Sequence, residues 1–354
     1  MEIFKPIYEI TDDISRLLGE IKSLDDIITN SRHHAYFLKK HWPEWRLESV
    51  KAAFQMQKWD LGPDEIETYL NENLLEGYTA AGIQKRIKNY AAVLERLRKS
   101  KPTSSFAFRD LEEIHSCLRD KVGGGDMYPG QLRIKFDAIY YPNKRVKFHL
   151  PDPGELEDHV KALFNWINNA EQQNINPLVR AAIVHHRLME LHPFNQDNGK
   201  TARLFFRKLL KSYEFPWRGF LPYETVFAKD VSRYYHLADD YGNPHKNFEQ
   251  RTDPNLPNWI VFHLDGICRL LNNFRLKLAS EPPPKPKAKD LNERQRKALQ
   301  YLKKHDSITN RVYCDLFNVG RFTAYMDLNE LLEKGFIYRV NSKGRSVIYK
   351  LSSD

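Results

Sequence analysis

The stretch His192-Pro-Phe-Asn-Gln-Asp-Asn-Gly-Lys-Thr-Ala-Arg203 stands between two helix patterns and decides how the surrounding chain is interpreted. The pattern before it, AAIVHHRLMEL, and the pattern after it, ARLFFRKLL, repeat apolar residues at helical spacing. The first N–H groups of a helix have no partner within it, and the helix dipole is positive at that end. A polar, glycine-containing loop before such a helix therefore predicts an anion site.

Five residues of this stretch predict phosphoryl or nucleotidyl transfer. Asn198 and Gly199 tolerate left-handed backbone, which aims successive N–H groups at a phosphate. Lys200 and Arg203 lie three residues apart on the first helical turn, so both cations reach the same phosphates. His192 accepts a proton near neutral pH. The alternative is a helix-loop-helix with a glycine turn and surface cations, and the missing G-x-x-x-x-G-K-[ST] pattern excludes a P-loop.

Outward from this stretch, the sequence predicts a mainly α body with one β-hairpin. Apolar residues at helical spacing predict helices over residues 12–28, 84–98, 106–118, 156–170 and 177–191. The segment QLRIKFDAIYYPNKRVKFHLP alternates and is rich in β-branched and aromatic residues, so it predicts a hairpin that turns at residues 142–144.

Composition limits the class of protein. The 354 residues are 41% apolar and contain no run of 18 apolar residues, so we expect no membrane span. The N-terminus lacks the apolar core of a signal peptide, and three scattered cysteines suggest neither disulfides nor zinc. These features predict a cytoplasmic protein. The Pro-rich segment 281–290 predicts a stiff linker, and the chain from residue 281 onward carries 15 Lys and Arg against 9 Asp and Glu.

HPFNQDNGKTAR resembles the Fic motif HPFx(D/E)GN(G/K)RxxR, and its flanking helices and hairpin resemble those of Fic proteins over about residues 1–275. The resemblance implies an N-terminal helical extension at 1–100, a Fic catalytic core at 101–280, the linker at 281–290 and a winged helix-turn-helix domain at 291–354. It implies a protein adenylyltransferase (AMPylator) that moves AMP from ATP to a Ser, Thr or Tyr hydroxyl.

The resemblance also implies roles for individual residues. His192 would be the general base, and Asn198 and Gly199 would line the anion hole. Lys200 would stand where an arginine usually binds phosphate, and Arg203 would hold the γ-phosphate. Nucleotide contacts are also expected from Tyr234 and Tyr235, for which core packing is the alternative.

Two positions depart from the motif where it holds the metal ion. Gln196 replaces the acidic residue that binds Mg²⁺ (or Mn²⁺), and a neutral amide is a weaker ligand for a hard cation. Asp197 replaces the glycine, and its carboxylate is a candidate to supply the missing oxygen. The sequence leaves open whether Asp197 restores the metal site or whether transfer activity is weakened.

Many family members carry an inhibitory [S/T]xxxE[G/N] helix that faces the second motif arginine. The segment 68–73 fits this pattern literally, with Glu72 as the glutamate. The alternative register, favoured by the surrounding sequence, places the segment at 53–58, where Gln57 replaces the glutamate and the hydroxyl is missing.

The C-terminal segment predicts three helices, over residues 293–305, 310–317 and 321–334, followed by a hairpin over a glycine turn. This is the pattern of a winged helix-turn-helix, and docking to a protein is the alternative to DNA binding. The acidic residues 327, 330 and 333 on the third helix would repel phosphate. The expected DNA contacts are Arg321, Thr323, Tyr325, Lys343 and Arg345.

Three hypotheses about function follow. The first is the adenylyltransferase, whose target hydroxyl belongs to another protein or to the chain itself. The second is a catalytically weakened Fic-fold regulator that acts through its winged helix on DNA or on a partner protein. The third, phosphate transfer as in the kinase-like branch, is disfavoured because that branch has lysine where Gly199 stands. A membrane partner is not expected, and a homodimer is left open.

Overall fold

The structure, a computed structural model, describes residues 4–31, 33–57, 61–71, 78–122, 128–140, 144–169, 174–212, 217, 219–281, 291–340 and 347–352. This described part is mainly helical, as the sequence predicts. Its helices are α1 Asp12–Asn30, α2 His34–Gln55, α3 Pro63–Asn71, α4 Tyr78–Lys99, α5 Phe108–Arg119, α6 Leu156–Asn169, α7 Pro177–Leu191, α8 Asn198–Ser212, α9 Glu224–Lys229, α10 Val231–Leu237, α11 Leu256–Ser280, α12 Glu293–Lys304, α13 Asn310–Phe317 and α14 Arg321–Glu333. No described helix is both long and apolar enough to cross a bilayer.

Short strands form three antiparallel sheets. The pairs are β1 Ala138–Tyr140 with β2 Val146–His149, and β3 Tyr241–Asn243 with β4 Thr252–Pro254. A three-stranded sheet has the order β5-β7-β6, formed by β5 Ile308–Thr309, β6 Ile337–Arg339 and β7 Ile348–Leu351.

The predicted hairpin corresponds to the β1–β2 pair, but its first strand is shorter than the sequence pattern suggests. Residues 131–137 form no strand. The Arg133 N–H instead donates to the Pro193 carbonyl at 2.9 Å, so the backbone there is bound to the loop after α7. The predicted turn residues 142 and 143 lie outside the described part.

The chain divides into two compact units. One comprises Met1–Gly19 and Glu44–Leu270, and the other comprises Glu20–Pro43 and Leu271–Asp354. The boundaries expected at residues 100, 280 and 290 stay predictions, and residues 282–290 of the expected linker lie outside the described part.

Helices α7 and α8 form the centre of the first unit. Helix α7 begins with Pro177. Proline lacks an N–H, which costs nothing here because an N–H in the first turn would have no partner within the helix. The Asn176 side chain accepts from the Leu178 N–H. Its buried residues include Val179 and Ile183, and α8 buries Phe205 and Leu209. Each such side chain contributes roughly 1.5–3 kcal/mol on burial. This packing fixes the C-terminus of α7 and the N-terminus of α8, which flank the loop at residues 192–197.

Helices α12 to α14 pack with the three-stranded sheet in the second unit, and all three predicted C-terminal helices are confirmed within one residue. Helix α12 begins with a capping box, in which the Asn292 side chain accepts from the Gln295 N–H and Gln295 accepts from the Asn292 N–H. Leu302, Leu328 and Ile337 are buried in the core that these helices form with the sheet. The apolar periodicity therefore located this core correctly.

Candidate active site

His192 follows the last residue of α7, Leu191, and caps the C-terminus of that helix. Its backbone is left-handed (φ 42°), and its N–H donates to the Leu188 carbonyl at 3.2 Å. The imidazole Nδ1 lies 2.6 Å from the Met189 carbonyl oxygen, which can only accept. Nδ1 therefore carries the hydrogen, and the neutral ring keeps a lone pair on Nε2.

The surroundings of His192 favour its neutral form. Burial lowers the pKa of the imidazole, and the charge of Arg133 lowers it further, whereas the bond to the Met189 carbonyl opposes the shift. A ring that is neutral at pH 7, with Nε2 as acceptor, has the protonation state of a general base.

The Arg133 side chain links the backbone of this histidine to that of Pro151. Its Nε donates to the His192 carbonyl at 3.0 Å, and its Nη2 donates to the Pro151 carbonyl at 2.6 Å. The guanidinium is buried and joins the chain before β1 to the loop after α7. Sequence analysis did not identify Arg133, because nothing in its local pattern distinguishes it from a surface arginine of a hairpin.

Asn198 holds the loop closed. Its Oδ1 accepts from the Phe194 N–H at 2.9 Å, and its Nδ2 donates to the Phe194 carbonyl at 2.7 Å. The amide side chain is thus engaged with the loop backbone. Any anion contact from Asn198 would come from its main-chain N–H at the start of α8.

His115 supports the same loop from α5. Its ring stacks on Phe194 with centroids 4.0 Å apart, and its Nδ1 accepts from the Gly130 N–H at 2.9 Å. That leaves Nε2 as the donor to the Gln196 carbonyl at 3.1 Å. His115 was also missed from the sequence, since its contacts come from segments 15 and 81 residues away.

The predicted metal residue Asp197 faces cations. Its backbone is left-handed (φ 54°), and its Oδ1 lies 3.2 Å from Lys200 Nζ. Its Oδ2 lies 3.2 Å from Arg119 Nη1 and 3.6 Å from Arg86 Nη1. Burial alone would raise the pKa of this carboxyl, but the three cations lower it. The carboxylate is therefore ionised and already neutralised by protein groups.

These contacts do not fit a metal site built on the loop. Gln196 offers a neutral side-chain amide, and its backbone carbonyl accepts from His115. The cluster of three metal-ligand side chains found among the described residues, Glu155, His159 and Glu249, includes no loop residue. A Mg²⁺ at the loop would thus depend on phosphate oxygens for its charged ligands, with water completing the coordination shell.

Lys200 is buried against Phe54, whose ring centroid lies 4.3 Å from Nζ. Burial lowers the pKa of the ammonium to about 8, although the nearby Asp197 carboxylate opposes the shift. Lys200 therefore carries its charge at pH 7 but loses it under mildly alkaline conditions.

Arg203 is a buried cation with unused donors. Among the described residues, its Nε and Nη1 have no hydrogen-bond partner. Nη1 lies against Gly199, where an added Cβ would come within 3.2 Å of it. A buried guanidinium with two orphaned N–H groups at a helix N-terminus fits an anion, since unsatisfied buried donors cost about 1–3 kcal/mol each.

The two predicted nucleotide tyrosines differ in exposure. Tyr234 is buried and hydrogen-bonded to His185 Nε2 at 3.0 Å, whereas Tyr235 is 42% exposed. Their rings pack edge to face, with centroids 5.0 Å apart. Tyr234 is thus a core residue beside Arg203, and the exposed Tyr235 is the one open to a ligand.

Of the two inhibitory candidates, Gln57 lies in the described part and Glu72 does not. Gln57 is exposed at the end of α2, and its N–H donates to the Phe54 carbonyl at 3.0 Å. Because Phe54 also contacts Lys200, the segment that contains Gln57 reaches the candidate site. Which segment inhibits stays a prediction.

The expected DNA contacts lie in the second unit. Arg321 and Tyr325 are exposed at the start of α14, and Thr323 is half-buried. Lys343 and Arg345 lie outside the described part. Phe322 and Met326 are also exposed on this helix, 65% and 50% respectively, so the face is part apolar.

The Fic/DOC family model matches residues 105–210, from just before α5 to the last turn of α8. Protein adenylyltransferase fic-1 of Caenorhabditis elegans is 31% identical over 126 residues, which are 36% of this chain and 23% of that protein. Protein adenylyltransferase Fic of Nematostella vectensis is 27% identical over 147 residues, 41% of this chain and 31% of that protein. The chain thus spans 23% of the first relative's length and 31% of the second's.

Two solved structures share the fold. A Fic family protein from Desulfovibrio desulfuricans G20 has a TM-score of 0.64 at 18% identity, with 99% of each chain covered. A Fic domain containing signaling protein from Bacteroides thetaiotaomicron VPI-5482 has a TM-score of 0.61 at 18% identity, covering 77% of this chain and 98% of that one. Residues 105–210 of this chain therefore match the Fic/DOC family model, within a fold that solved Fic family structures share.

Proposed function

We propose that this protein is an adenylyltransferase that moves AMP from ATP to a Ser, Thr or Tyr hydroxyl of a protein. The observation that carries the proposal is the tautomer of His192, whose Nδ1–H is bound to the Met189 carbonyl so that Nε2 can accept a proton. The names of the curated relatives support the reaction class.

In the proposed transfer, residues of this chain accept the proton and stabilise the charge that develops. Nε2 of His192 takes the proton of the target hydroxyl while the hydroxyl oxygen attacks the α-phosphorus of ATP. The bond from the α-phosphorus to its bridging oxygen breaks, and pyrophosphate leaves with the electron pair. The N–H groups at the start of α8 and the charges of Lys200 and Arg203 would stabilise the negative charge. No step is assigned to a metal ion, because the one carboxylate of the loop, Asp197, is already paired with Lys200, Arg119 and Arg86.

We also propose that the β1–β2 hairpin acts as the flap that aligns the target segment. A groove of about 620 Å³ lies along it, lined in part by Phe136, Ala138, Tyr140 and Phe248. Phe136 and Tyr140 are 77% and 55% exposed, so an extended peptide could pair with the strand edge and cover them.

Labelled ATP tests the proposal. The full-length protein is incubated with ATP labelled on the α-phosphate and with a lysate, in Mg²⁺ or Mn²⁺, and labelled proteins are separated. We expect label on at least one protein and its loss in His192→Ala. The matched control is His305→Ala, which removes an imidazole from the second unit. Label obtained only in a parallel incubation with γ-labelled ATP would indicate kinase-like phosphate transfer, and absence of α-label with both metals would contradict the proposal.

A second proposal concerns DNA, because the acidic residues of α14 are neutralised within the protein. Asp327 accepts from Asn292 and Arg294, and Glu330 accepts from Lys334. Glu333 likewise accepts from Lys39 in the same unit, with Nζ and Oε2 2.5 Å apart. The expected repulsion of phosphate by these residues is therefore weaker than the sequence suggests.

We propose on this basis that residues 291–354 form a winged helix-turn-helix that binds DNA through Arg321. Binding to duplex DNA should weaken as salt increases, and Arg321→Ala should reduce the slope of log K against log salt by about 0.9 if it contacts one phosphate. The control His192→Ala should bind DNA unchanged. Salt-independent binding, or none, would favour docking to a protein.

A further inference from the structure

A chain of buried hydrogen bonds leads from α11 to Arg203. His263 Nδ1 lies 2.9 Å from the Trp259 carbonyl oxygen, and His263 Nε2 lies 2.9 Å from His185 Nδ1. His185 Nε2 lies 3.0 Å from the Tyr234 hydroxyl. Arg203 is the next group, because its guanidinium carbon lies 6.0 Å from the Tyr234 ring centroid and its charge interacts with the Tyr234 side chain. All four side chains are buried.

The direction of every hydrogen in this chain follows from its far end. The Trp259 carbonyl only accepts, so His263 Nδ1 carries a hydrogen. Burial lowers the pKa of His263 to about 3, which leaves its Nε2 as an acceptor. His185 must then donate from Nδ1, and since burial also lowers its pKa, its Nε2 accepts. The Tyr234 hydroxyl consequently donates to His185, and Met189 Sδ, 3.6 Å from the hydroxyl oxygen, is a second and weaker acceptor.

The direction of the Tyr234 hydrogen determines what the Tyr234 oxygen presents to Arg203. With its hydrogen directed at His185, the Tyr234 oxygen presents lone pairs to the Arg203 guanidinium. The Tyr234 side chain thus presents an acceptor to the guanidinium, while Nε and Nη1 stay without partners among the described residues, and Nη1 lies against Gly199 at the start of α8. If the tyrosine proton pointed at Arg203 instead, two donors would face each other.

We propose that the His263–His185–Tyr234 chain is a positioning device, which orients Arg203 so that its unused N–H groups meet the terminal phosphate of the nucleotide. The inference rests on the proposed ATP site and adds three positioning residues to it. It assigns to Tyr234 a role through Arg203 rather than direct contact with the nucleotide. It also explains why two histidines are buried without charge in a core that apolar residues could fill.

The preference for a triphosphate over a diphosphate tests the device. Calorimetry with α,β-methylene-ATP and α,β-methylene-ADP measures the two dissociation constants. The preference is the ratio of the dissociation constant for the diphosphate to that for the triphosphate. We expect Tyr234→Phe to reduce this ratio about tenfold, because the hydroxyl oxygen that faces the Arg203 guanidinium is lost. The matched control is Tyr223→Phe, which removes a buried hydroxyl that has no hydrogen-bond partner in the described chain and should leave the ratio unchanged.

A pair of substitutions at His185 provides the second measurement. A glutamine amide has both a donor and an acceptor, so His185→Gln should keep most of the preference, whereas His185→Leu should lose it as Tyr234→Phe does. Equal ratios in wild type, Tyr234→Phe and His185→Leu, in proteins with wild-type melting profiles, would overturn the inference. Failure of the wild type to bind either nucleotide would instead refute the proposed ATP site.

Discussion

Raising the pH from 7 to 9 should weaken the binding of ATP analogues to the wild-type chain but not to Lys200→Arg. Lys200 Nζ is buried between the Phe54 ring and the Asp197 carboxylate, near Arg86 and Arg203. This environment lowers the pKa of the ammonium from its usual 10.5 to about 8. The group therefore loses its charge within the range in which proteins are readily studied.

The magnitude follows from that value. At pH 9, one unit above the pKa, about one Lys200 in eleven is still charged. If only the charged form holds phosphate, the dissociation constant rises roughly tenfold between pH 7 and pH 9, which corresponds to about 1.4 kcal/mol. Ionisation of the nucleotide's own phosphates affects the wild type and Lys200→Arg alike, so the difference between the two proteins reports Lys200. An arginine stays charged throughout.

Isothermal titration calorimetry of α,β-methylene-ATP at pH 7, 8 and 9 measures this dependence. Buffers of different ionisation enthalpy also report the proton that the wild type takes up on binding at pH 9. Lys200→Arg should show neither the weakening nor the uptake. Parallel pH profiles of the two proteins would refute the reasoning, because the titrating group would then lie elsewhere.

Three substitutions test the stability of the structure. Asn198→Ala should orphan the Phe194 N–H and carbonyl, at a cost of about 1–3 kcal/mol, and weaken nucleotide binding in calorimetry. Arg207→Met leaves the buried Glu224 carboxylate without its partner at 2.6 Å, and the urea midpoint should fall by the equivalent of about 3–5 kcal/mol. Asp327→Ala removes an acceptor shared by Asn292, Arg294 and Tyr313, and heating should unfold the second unit earlier by about 1–3 kcal/mol.

Controls separate these effects from general damage. A second change, Glu224→Leu, should recover part of the stability lost in Arg207→Met, since no uncompensated charge would remain. Asp327→Asn should be milder than Asp327→Ala because an amide oxygen still accepts. Unchanged nucleotide binding by a folded Asn198→Ala would show that the loop does not need this brace, and an unaltered urea midpoint for Arg207→Met would contradict the assigned ion pair.

Local periodicity predicted most of the helices. Helix α7 begins and ends at the residues that the apolar pattern and Pro177 indicate, and α12 to α14 agree within one residue. Helix α2 was not predicted, because its apolar residues do not form one clear stripe and Pro43 lies inside it. The first strand of the hairpin was overestimated for a different reason: Arg133 binds the backbone of a distant loop, which no local pattern reveals.

The sequence by itself determined the order of the groups in the proposed nucleotide site, since His192, Lys200 and Arg203 follow one another on a loop and the first turn of a helix. Only the tertiary structure decided their chemical states. The tautomer of His192, the cations around Asp197 and the buried chain behind Arg203 depend on contacts between residues far apart in the chain. The physical reason is that spacing along a helix sets which side chains share a face, whereas burial and hydrogen-bond partners set which of them is charged and where its proton lies.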